Sequence, residues 1–165
     1  QEGIVTCFAY GQTGSGKTFT MNGIQELVVQ ELFEMINKKY ETTVSFFEIY
    51  GGRCYDLLNA KAPLTILEDK NNNIQINGLV EKSADGAKEL FNIMQQGNAI
   101  RTTHATVAND TSSRSHSIWQ VIIKGSGDAV VGKLVLVDLA GSERAQDTQS
   151  NNRQRRIEGA EINKR

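Results

Sequence analysis

The stretch Gly11-Gln-Thr-Gly-Ser-Gly-Lys-Thr18 fits the phosphate-binding pattern G-x-x-x-x-G-K-[ST] at every fixed position. Glycines at three of these positions allow backbone conformations that residues with a Cβ avoid, so successive N–H groups can turn toward phosphate oxygens. Lys17 would reach the β- and γ-phosphates of a nucleotide, and the Thr18 hydroxyl would bind Mg²⁺. A helix that begins near Lys17 would direct the positive end of its dipole at the same anion.

The residues on either side of this loop occur in the order that a phosphate loop requires. Residues 3–10 form an apolar run of strand-forming residues, and residues 19–40 carry apolar side chains at helical spacing. The sequence therefore predicts a strand, the loop and a helix in succession. The alternative is a glycine-rich turn that binds no ligand, which would not need these neighbours.

The composition limits the classes of partner. A chain of 165 residues predicts one domain. Lysine and arginine total 18 against 19 for aspartate and glutamate, so the net charge of -1 argues against nucleic acid or an anionic membrane as a partner. Cys7 and Cys54 lie in predicted strands without metal-ligand spacing, and we interpret them as reduced residues of a cytosolic protein. No apolar run reaches membrane-spanning length, and no secretory signal opens the chain.

The remaining periodic stretches predict an alternation of strands and helices. A buried strand is predicted at residues 134–137, and Asp138 follows it directly. An acidic residue at this end of a strand beside a phosphate loop is where a P-loop enzyme holds Mg²⁺, although a turn-capping Asp is the alternative. The polar residues 102–115 form a long loop of the kind that carries function. The other predicted elements are helices over 24–40 and 83–101, strands over 42–50, 53–58 and 116–123, and a small β excursion at 66–79.

Three motifs taken together resemble the kinesin motor domain. They are the loop at 11–18, Asn109-Asp-Thr-Ser-Ser-Arg-Ser-His116 and Asp138-Leu-Ala-Gly-Ser-Glu143, which match the phosphate loop and the first and second switches of that family in order and approximate spacing. The resemblance covers residues 1–165 as a partial motor domain. It implies an α/β P-loop NTPase fold with a mostly parallel central sheet flanked by helices, of which this chain holds an incomplete half. It also implies an ATPase that microtubules stimulate, located on the cytoplasmic microtubule cytoskeleton.

Shorter segments narrow the resemblance within the family. Leu67-Glu-Asp69, Asn77-Gly-Leu79 and Glu158-Gly-Ala-Glu-Ile-Asn-Lys164 look most like the internal-motor kinesins, which depolymerise microtubule ends. We therefore expect ATP turnover coupled to depolymerisation. A translocating kinesin, and a truncated nucleotide- or tubulin-binding module without turnover, remain alternatives.

The resemblance also implies a role for each matched residue. Ser112 would position the attacking water, Gly141 would sense the γ-phosphate through its N–H, and Arg114 and Glu143 would form the ion pair that closes the two switches. His116 is interpreted as a structural residue at the start of a strand and not as a general base. Thr18 and Ser113 would ligate Mg²⁺, and Asp138 would hold the metal through water. ATP would be bound through its phosphates by Gly11, Gln12, Thr13, Gly14, Ser15, Gly16, Lys17 and Thr18.

A basic cluster near the end of the sequence suggests a surface for tubulin, which is strongly acidic. The only acidic residues in the same stretch are Glu158 and Glu161. The basic cluster resembles the loop and helix that face tubulin in kinesins. A solvated helix face would explain the same charges. The cluster consists of Arg153, Arg155, Arg156, Lys164 and Arg165.

The match to the family is incomplete in several places. The loop usually inserted between Gly23 and Ile24 is almost absent, and Arg165 stands where the family has Ser. Both ends of the chain look cut, and we expect a fragment. In the family's strand order the phosphate-loop strand would then be an exposed edge, so we expect the chain alone to be poorly soluble or marginally folded. A cooperative urea transition with a size-appropriate slope would contradict that expectation.

Overall fold

The computed structural model describes residues 3–36, 40–102 and 114–143. These residues form an eight-stranded sheet with two long helices. No helix within the described ranges is long and apolar enough to cross a membrane. The elements in chain order are β1 Gly3–Ala9, α1 Lys17–Met35, β2 Glu41–Tyr50, β3 Arg53–Asp56, β4 Ala62–Glu68, β5 Ile74–Asn77, β6 Lys82–Ser83, α2 Ala87–Thr102, β7 Ser115–Lys124 and β8 Val130–Asp138.

The sheet is mixed, whereas the sequence predicted a mostly parallel one. Its strand order is β1-β8-β7-β2-β3-β4-β5, and β6 pairs with β2. The β1–β8 pair is parallel, and the other pairs are antiparallel. Short connections account for the antiparallel pairs formed by consecutive strands. Gly51 and Gly52 join β2 to β3 with positive φ at both positions, and a turn this short can link only antiparallel neighbours.

The main core lies between one face of the sheet and the two helices. Trp119 of β7 and Phe46 of β2 are almost completely buried there, together with Leu90 and Met94 of α2. Burial of such large apolar side chains contributes about 1.5–3 kcal/mol each. The predicted helices and strands of this region are thus confirmed as elements, and their packing holds α1 against β1 and β8 and α2 against α1 and β2.

Helix α1 buries only part of the apolar stripe that its sequence predicted, since Ile24, Val28 and Leu32 pack against the core and other members do not. Met21, Gln25 and Val29 are buried, while Leu27 and Met35 are 64% and 81% exposed. The buried residues are four apart, which places them on one helical face. The position of α2 and the sheet, and not the apolarity of each residue, decides which face of α1 is covered.

Strand β1 lies at the edge of the described sheet. It pairs with β8 on one side, and within the described ranges no strand pairs with its other side. Its side chains Ile4, Val5 and Phe8 are each more than 60% exposed. This placement confirms the expected exposed edge, which presents unpaired N–H and C=O groups beside apolar side chains.

Candidate phosphate and metal site

The loop between β1 and α1 has the backbone conformation expected of a phosphate loop. Gly14 and Gly16 have φ values of 79° and 85°, in the left-handed region that favours glycine. Gly16 precedes the first residue of α1, and no side chain caps the helix there. The first N–H groups of α1 therefore have no capping side chain, which is the arrangement in which a helix N-terminus binds anions. The predicted order of strand, loop and helix is confirmed.

The Lys17 side chain folds back over this loop. Its Nζ donates a hydrogen bond to the carbonyl oxygen of Gln12 at 2.9 Å. The Ser15 N–H donates to the same carbonyl at 3.2 Å. The ammonium group is thus held above the loop backbone, where it can meet an anion bound to the loop.

Strand pairing places Asp138 beside the phosphate loop. Strand β8 lies parallel to β1 with Asp138 in register with Ala9, the last residue before the loop region. The carboxyl ends of both strands therefore meet at the same edge of the sheet. The Thr18 hydroxyl donates a hydrogen bond to Asp138 Oδ2 at 2.7 Å, and Asp138 is 2% exposed. The two residues predicted as metal ligands in these segments are in contact.

Arg101, for which the sequence predicted no role at this site, also contacts Asp138. This residue of the last turn of α2 is 5% exposed, and its Nη1 donates to Asp138 Oδ2 at 2.8 Å. Its Nη2 makes longer contacts to the carbonyl oxygen and hydroxyl of Ser115, at 3.3 and 3.5 Å. The sequence feature that could have indicated Arg101 is its position as a basic residue at the end of a helix, directly before the polar loop at 102–115.

The donor set fits Mg²⁺. Asp138 Oδ1 is buried without a hydrogen-bond partner in the described part of the chain, so one carboxylate oxygen remains available. The Thr18 hydroxyl lies beside it and can offer a lone pair. Among the described residues no group of three or more His, Cys, Asp or Glu could hold a metal by itself. This agrees with Mg²⁺ bound through one carboxylate together with substrate phosphates.

The segment that follows β8 is docked on the phosphate loop. The N–H of Leu139 donates to the carbonyl of Ala9, and the N–H of Ser142 donates to the carbonyl of Gly11, both at 3.1 Å. These bonds extend the β1–β8 contact beyond the sheet. They hold residues 139–143 against the loop and bring Gly141 and Glu143 to it.

Glu143 contacts the loop directly. Its Oε1 accepts a hydrogen bond from the N–H of Thr13 at 2.7 Å. Partial burial raises the pKa of Glu143, but hydrogen bonds from the Thr13 side chain and N–H and from its own N–H, with the charge of Lys17, lower it more, so the pKa lies below its ordinary value. A Cβ added at Gly141 would collide with the Glu143 carboxylate and the Thr13 hydroxyl, so both side chains would have to move if another residue stood here.

His116 ties the start of β7 to the same segment. Its Nδ1 accepts a hydrogen bond from the N–H of Ala140 at 3.1 Å. Burial lowers the pKa of His116, nearby Arg101 lowers it further, and Asp138 opposes them. A neutral imidazole that accepts a backbone N–H supports the structural interpretation of this residue.

Several predicted site residues lie outside the described residues. These include Ser112 and Ser113 of the first switch motif. Arg114 is described, lies directly before β7 and is half-buried. Its ion pair with Glu143 stays a prediction. Also outside the described residues are all members of the basic cluster: Arg153, Arg155, Arg156, Lys164 and Arg165.

Comparisons with known proteins agree on one family. Residues 1–165 match the family model described as the kinesin motor domain. Diatom spindle kinesin-1 of Cylindrotheca fusiformis is 47% identical over 165 residues, covering 98% of this chain and 26% of that protein. A solved structure of a fast kinesin superposes with a TM-score of 0.80 at 34% identity, covering 97% of this chain and 51% of that chain. The fold class is confirmed as an incomplete kinesin motor fold, with the mixed sheet described above.

Proposed function

The chain belongs to the kinesin motor domain family, and from that premise we propose that it is part of a motor that hydrolyses ATP when stimulated by microtubules. Kinesin motor domains are in general microtubule-stimulated ATPases that bind nucleotide with Mg²⁺. Residues 1–165 are proposed to form the half of the motor domain that carries the phosphate and metal site. Microtubules and ATP are the proposed partners, with no role for nucleic acid or a membrane, and the cytoplasmic microtubule cytoskeleton is the proposed location.

One observation carries this proposal. The Thr18 hydroxyl and the Asp138 carboxylate come together at 2.7 Å at the first turn of α1, directly after a loop with glycine-specific backbone angles. A glycine-rich turn without a ligand would not require a buried carboxylate at that point. The contact supports a site for a metal–phosphate complex.

The residues of the phosphate loop are proposed to bind and orient the nucleotide. The backbone N–H groups of residues 13–18 and the Lys17 ammonium neutralise phosphate charge, while Thr18, Ser113 and Asp138 hold Mg²⁺. The metal, when bound, supplies charge neutralisation between the β- and γ-phosphates. Because phosphoryl transfer depends on positioning and charge stabilisation, these groups suffice without a covalent nucleophile.

The second switch is proposed to respond to the γ-phosphate. Glu143 accepts the Thr13 N–H, which is one of the donors assigned to phosphate, so a phosphate oxygen and the carboxylate compete for the same hydrogen. Phosphate binding would displace the Glu143 carboxylate from the Thr13 N–H. The Gly141 N–H would then sense the γ-phosphate, and Ser112 would position the attacking water.

Two uses of the ATPase cycle are proposed, in order of support. Depolymerisation of microtubule ends is favoured by the segments at 67–69, 77–79 and 158–164, which resemble the internal-motor class. Translocation is the alternative, and the similarity to a solved fast kinesin is its support. Incubation of stabilised microtubules with the full-length protein and ATP distinguishes the two, because a depolymerase shortens both ends and a walking motor glides microtubules over a coated surface.

The ATPase proposal is tested by phosphate release from the full-length protein with and without microtubules. We expect release that microtubules increase and that Lys17→Ala abolishes, because Lys17 is the proposed phosphate cation. Lys88→Ala is the matched control, since Lys88 is an exposed lysine of α2. A protein that is folded by circular dichroism and binds ATP without turnover would support the third alternative, a nucleotide- or tubulin-binding module. A folded full-length protein that binds no ATP would overturn the proposal.

A further inference from the structure

The buried guanidinium of Arg101 contacts the same carboxylate oxygen as Thr18. Arg101 Nη1 and the Thr18 hydroxyl both donate to Asp138 Oδ2, at 2.8 and 2.7 Å. Both donors therefore hold one oxygen of the carboxylate. The other oxygen, Oδ1, is buried and has no hydrogen-bond partner within the described ranges.

This geometry fixes an orientation that the backbone alone leaves open. The torsion that rotates an Asp carboxylate is broad, so packing of β8 does not decide which oxygen faces Thr18. A charge-assisted hydrogen bond from a buried guanidinium is short and strong, and here it fixes the rotation of the carboxylate. The Thr18 hydroxyl, which donates its one hydrogen to Oδ2, then has its lone pairs directed away from Asp138.

Arg101 also connects three elements at this point. It lies in the last turn of α2, contacts Ser115 at the start of β7, and pairs with Asp138 at the end of β8. The chain runs from the end of α2 directly into residues 103–113, which contain Ser112 and Ser113 of the first switch motif. The Arg101 side chain thus connects the end of α2, which precedes the first switch motif in the chain, to the end of β8, where the second switch motif begins.

We propose that Arg101 is a positioning residue of the nucleotide–metal site, acting through Asp138 and Thr18. It touches neither phosphate nor metal. Its role is to hold the Asp138 carboxylate so that Oδ2 accepts the Thr18 hydroxyl and Oδ1 stays available to the hydrated cation. This inference rests on the proposed function, because it assumes that the site binds a nucleotide with Mg²⁺.

A purely structural ion pair is the competing explanation, and the chain offers a matched example. Lys61 and Glu48 form another buried pair at 2.7 Å, in which Glu48 is 1% exposed and Oε2 has no hydrogen-bond partner among described residues. This pair links β2 to the residue before β4, and Ser117 of β7 lies in register between Glu48 and Asp138, so the two carboxylates are two strands apart. Its removal therefore reports the effect of losing a buried ion pair alone.

The test measures ATP affinity of the full-length protein by calorimetry, in excess Mg²⁺ and in EDTA. The dissociation constant in EDTA divided by the dissociation constant in Mg²⁺ gives the contribution of the metal to ATP affinity. We expect Arg101→Met to reduce this ratio about tenfold while the dissociation constant in EDTA stays within about twofold, as for other residues that orient a metal ligand. Arg101→Lys keeps a positive charge but lacks the paired N–H donors of a guanidinium, so we expect a ratio between those of the wild type and Arg101→Met. Lys61→Met should lower thermal stability and leave the ratio unchanged.

A double-mutant cycle keeps the test interpretable if one single variant does not fold. Asp138→Asn and the double variant Asp138→Asn with Arg101→Met should have the same ratio, because Arg101 acts only through the carboxylate. The double variant also avoids a buried unpaired anion. An unchanged ratio in Arg101→Met, or in Arg101→Lys if Arg101→Met does not fold, would overturn the inference and leave the proposed function intact. A wild-type chain whose ATP affinity does not depend on Mg²⁺ would overturn both.

Discussion

The Thr18 hydroxyl donates a hydrogen bond to Asp138 Oδ2 at 2.7 Å, although 120 positions separate the two residues in the chain. The parallel pairing of β1 with β8 produces this contact, because it brings the ends of both strands to one edge of the sheet. The phosphate loop follows one strand and the acidic residue follows the other.

Thr18→Ala should weaken Mg²⁺-dependent ATP binding by at least about tenfold, since it removes a hydroxyl that contacts the Asp138 carboxylate and that we propose to bind the cation. Thr18→Ser keeps the hydroxyl and should bind nearly as the wild type does. Calorimetric titration with ATP in Mg²⁺ measures both variants. Equal affinity of Thr18→Ala and Thr18→Ser would show that the hydroxyl has no role in metal binding.

Glu143→Ala should tighten ATP binding severalfold, because the Thr13 N–H no longer has a carboxylate competing with phosphate. The same change should reduce turnover, since the proposed partner of Arg114 is lost. Glu31→Ala removes an exposed carboxylate of α1 and is the control for charge. Weaker ATP binding by Glu143→Ala than by the control would contradict competition at Thr13.

Protonation of His116 should make stability fall as the pH decreases. Its pKa in the folded chain lies below the ordinary value of 6.5, so between the two values the unfolded chain binds more protons than the folded chain. Stability is therefore lost as the pH falls through about 6.5 toward the folded pKa. Glu143 and Asp69, whose pKa values are also lowered, act at lower pH because their ordinary values are 4.5 and 3.8.

Urea midpoints between about pH 7.5 and pH 5.5 check this prediction on the wild type and on His116→Asn. The Asn side-chain oxygen can still accept the Ala140 N–H, so the variant keeps a hydrogen bond and loses the titration. The difference in stability between the two proteins should shrink or reverse in the acidic range. A constant difference across the range would mean that His116 does not contribute to the pH dependence.

Gly97→Ala should destabilise the chain by about 1–3 kcal/mol through overpacking. A Cβ at this position of α2 would collide with the ring of Phe46, which is buried in the core and cannot move away freely. Gly23→Ala in α1 is the matched control, because its added Cβ meets no atom within 4 Å. That control should stabilise α1 by about 0.5–1 kcal/mol. Chemical unfolding of both variants measures the contrast, and equal midpoints would refute the close approach of α2 to β2.

Val5→Lys should reduce self-association of the chain, because a lysine on an edge strand opposes pairing with another strand. Val5 is 61% exposed on β1, where apolar side chains adjoin unpaired backbone groups. Gln95→Lys places the same charge on the exposed surface of α2 and controls for net charge. Sedimentation velocity compares the two, and equal amounts of aggregate would rule out β1 as the associating edge.

Much of the site could be predicted from sequence because its groups lie in short contiguous motifs. The conformation of the phosphate loop depends on glycines within eight residues, and the strand and helix that flank it follow from local periodicity. Asp138 was recognisable because it directly follows a buried strand. The phosphate loop, the position of Asp138 beside it and the exposed edge at β1 agree with the structure.

Other features could not be predicted because they depend on contacts between distant segments. The apolarity of the strands did not reveal whether neighbouring strands run parallel or antiparallel. For consecutive strands the short turn between them requires antiparallel pairing, and together with the parallel β1–β8 pair this makes the sheet mixed. Leu27 fitted the apolar stripe of α1, yet it is exposed because α2 and the sheet cover another face. Helical periodicity identifies an element but not the surface that its neighbours cover.

The sequence by itself determined the family, the chemistry of the phosphate loop and the order of strand, loop and helix, because these depend on residues adjacent in the chain. The tertiary structure alone decided that Arg101 and Thr18 both donate hydrogen bonds to Oδ2 of Asp138 and that Glu143 accepts a hydrogen bond from the Thr13 N–H. The physical reason is distance along the chain. Hydrogen bonds between segments 37 to 130 residues apart exist only once the sheet has placed those segments side by side.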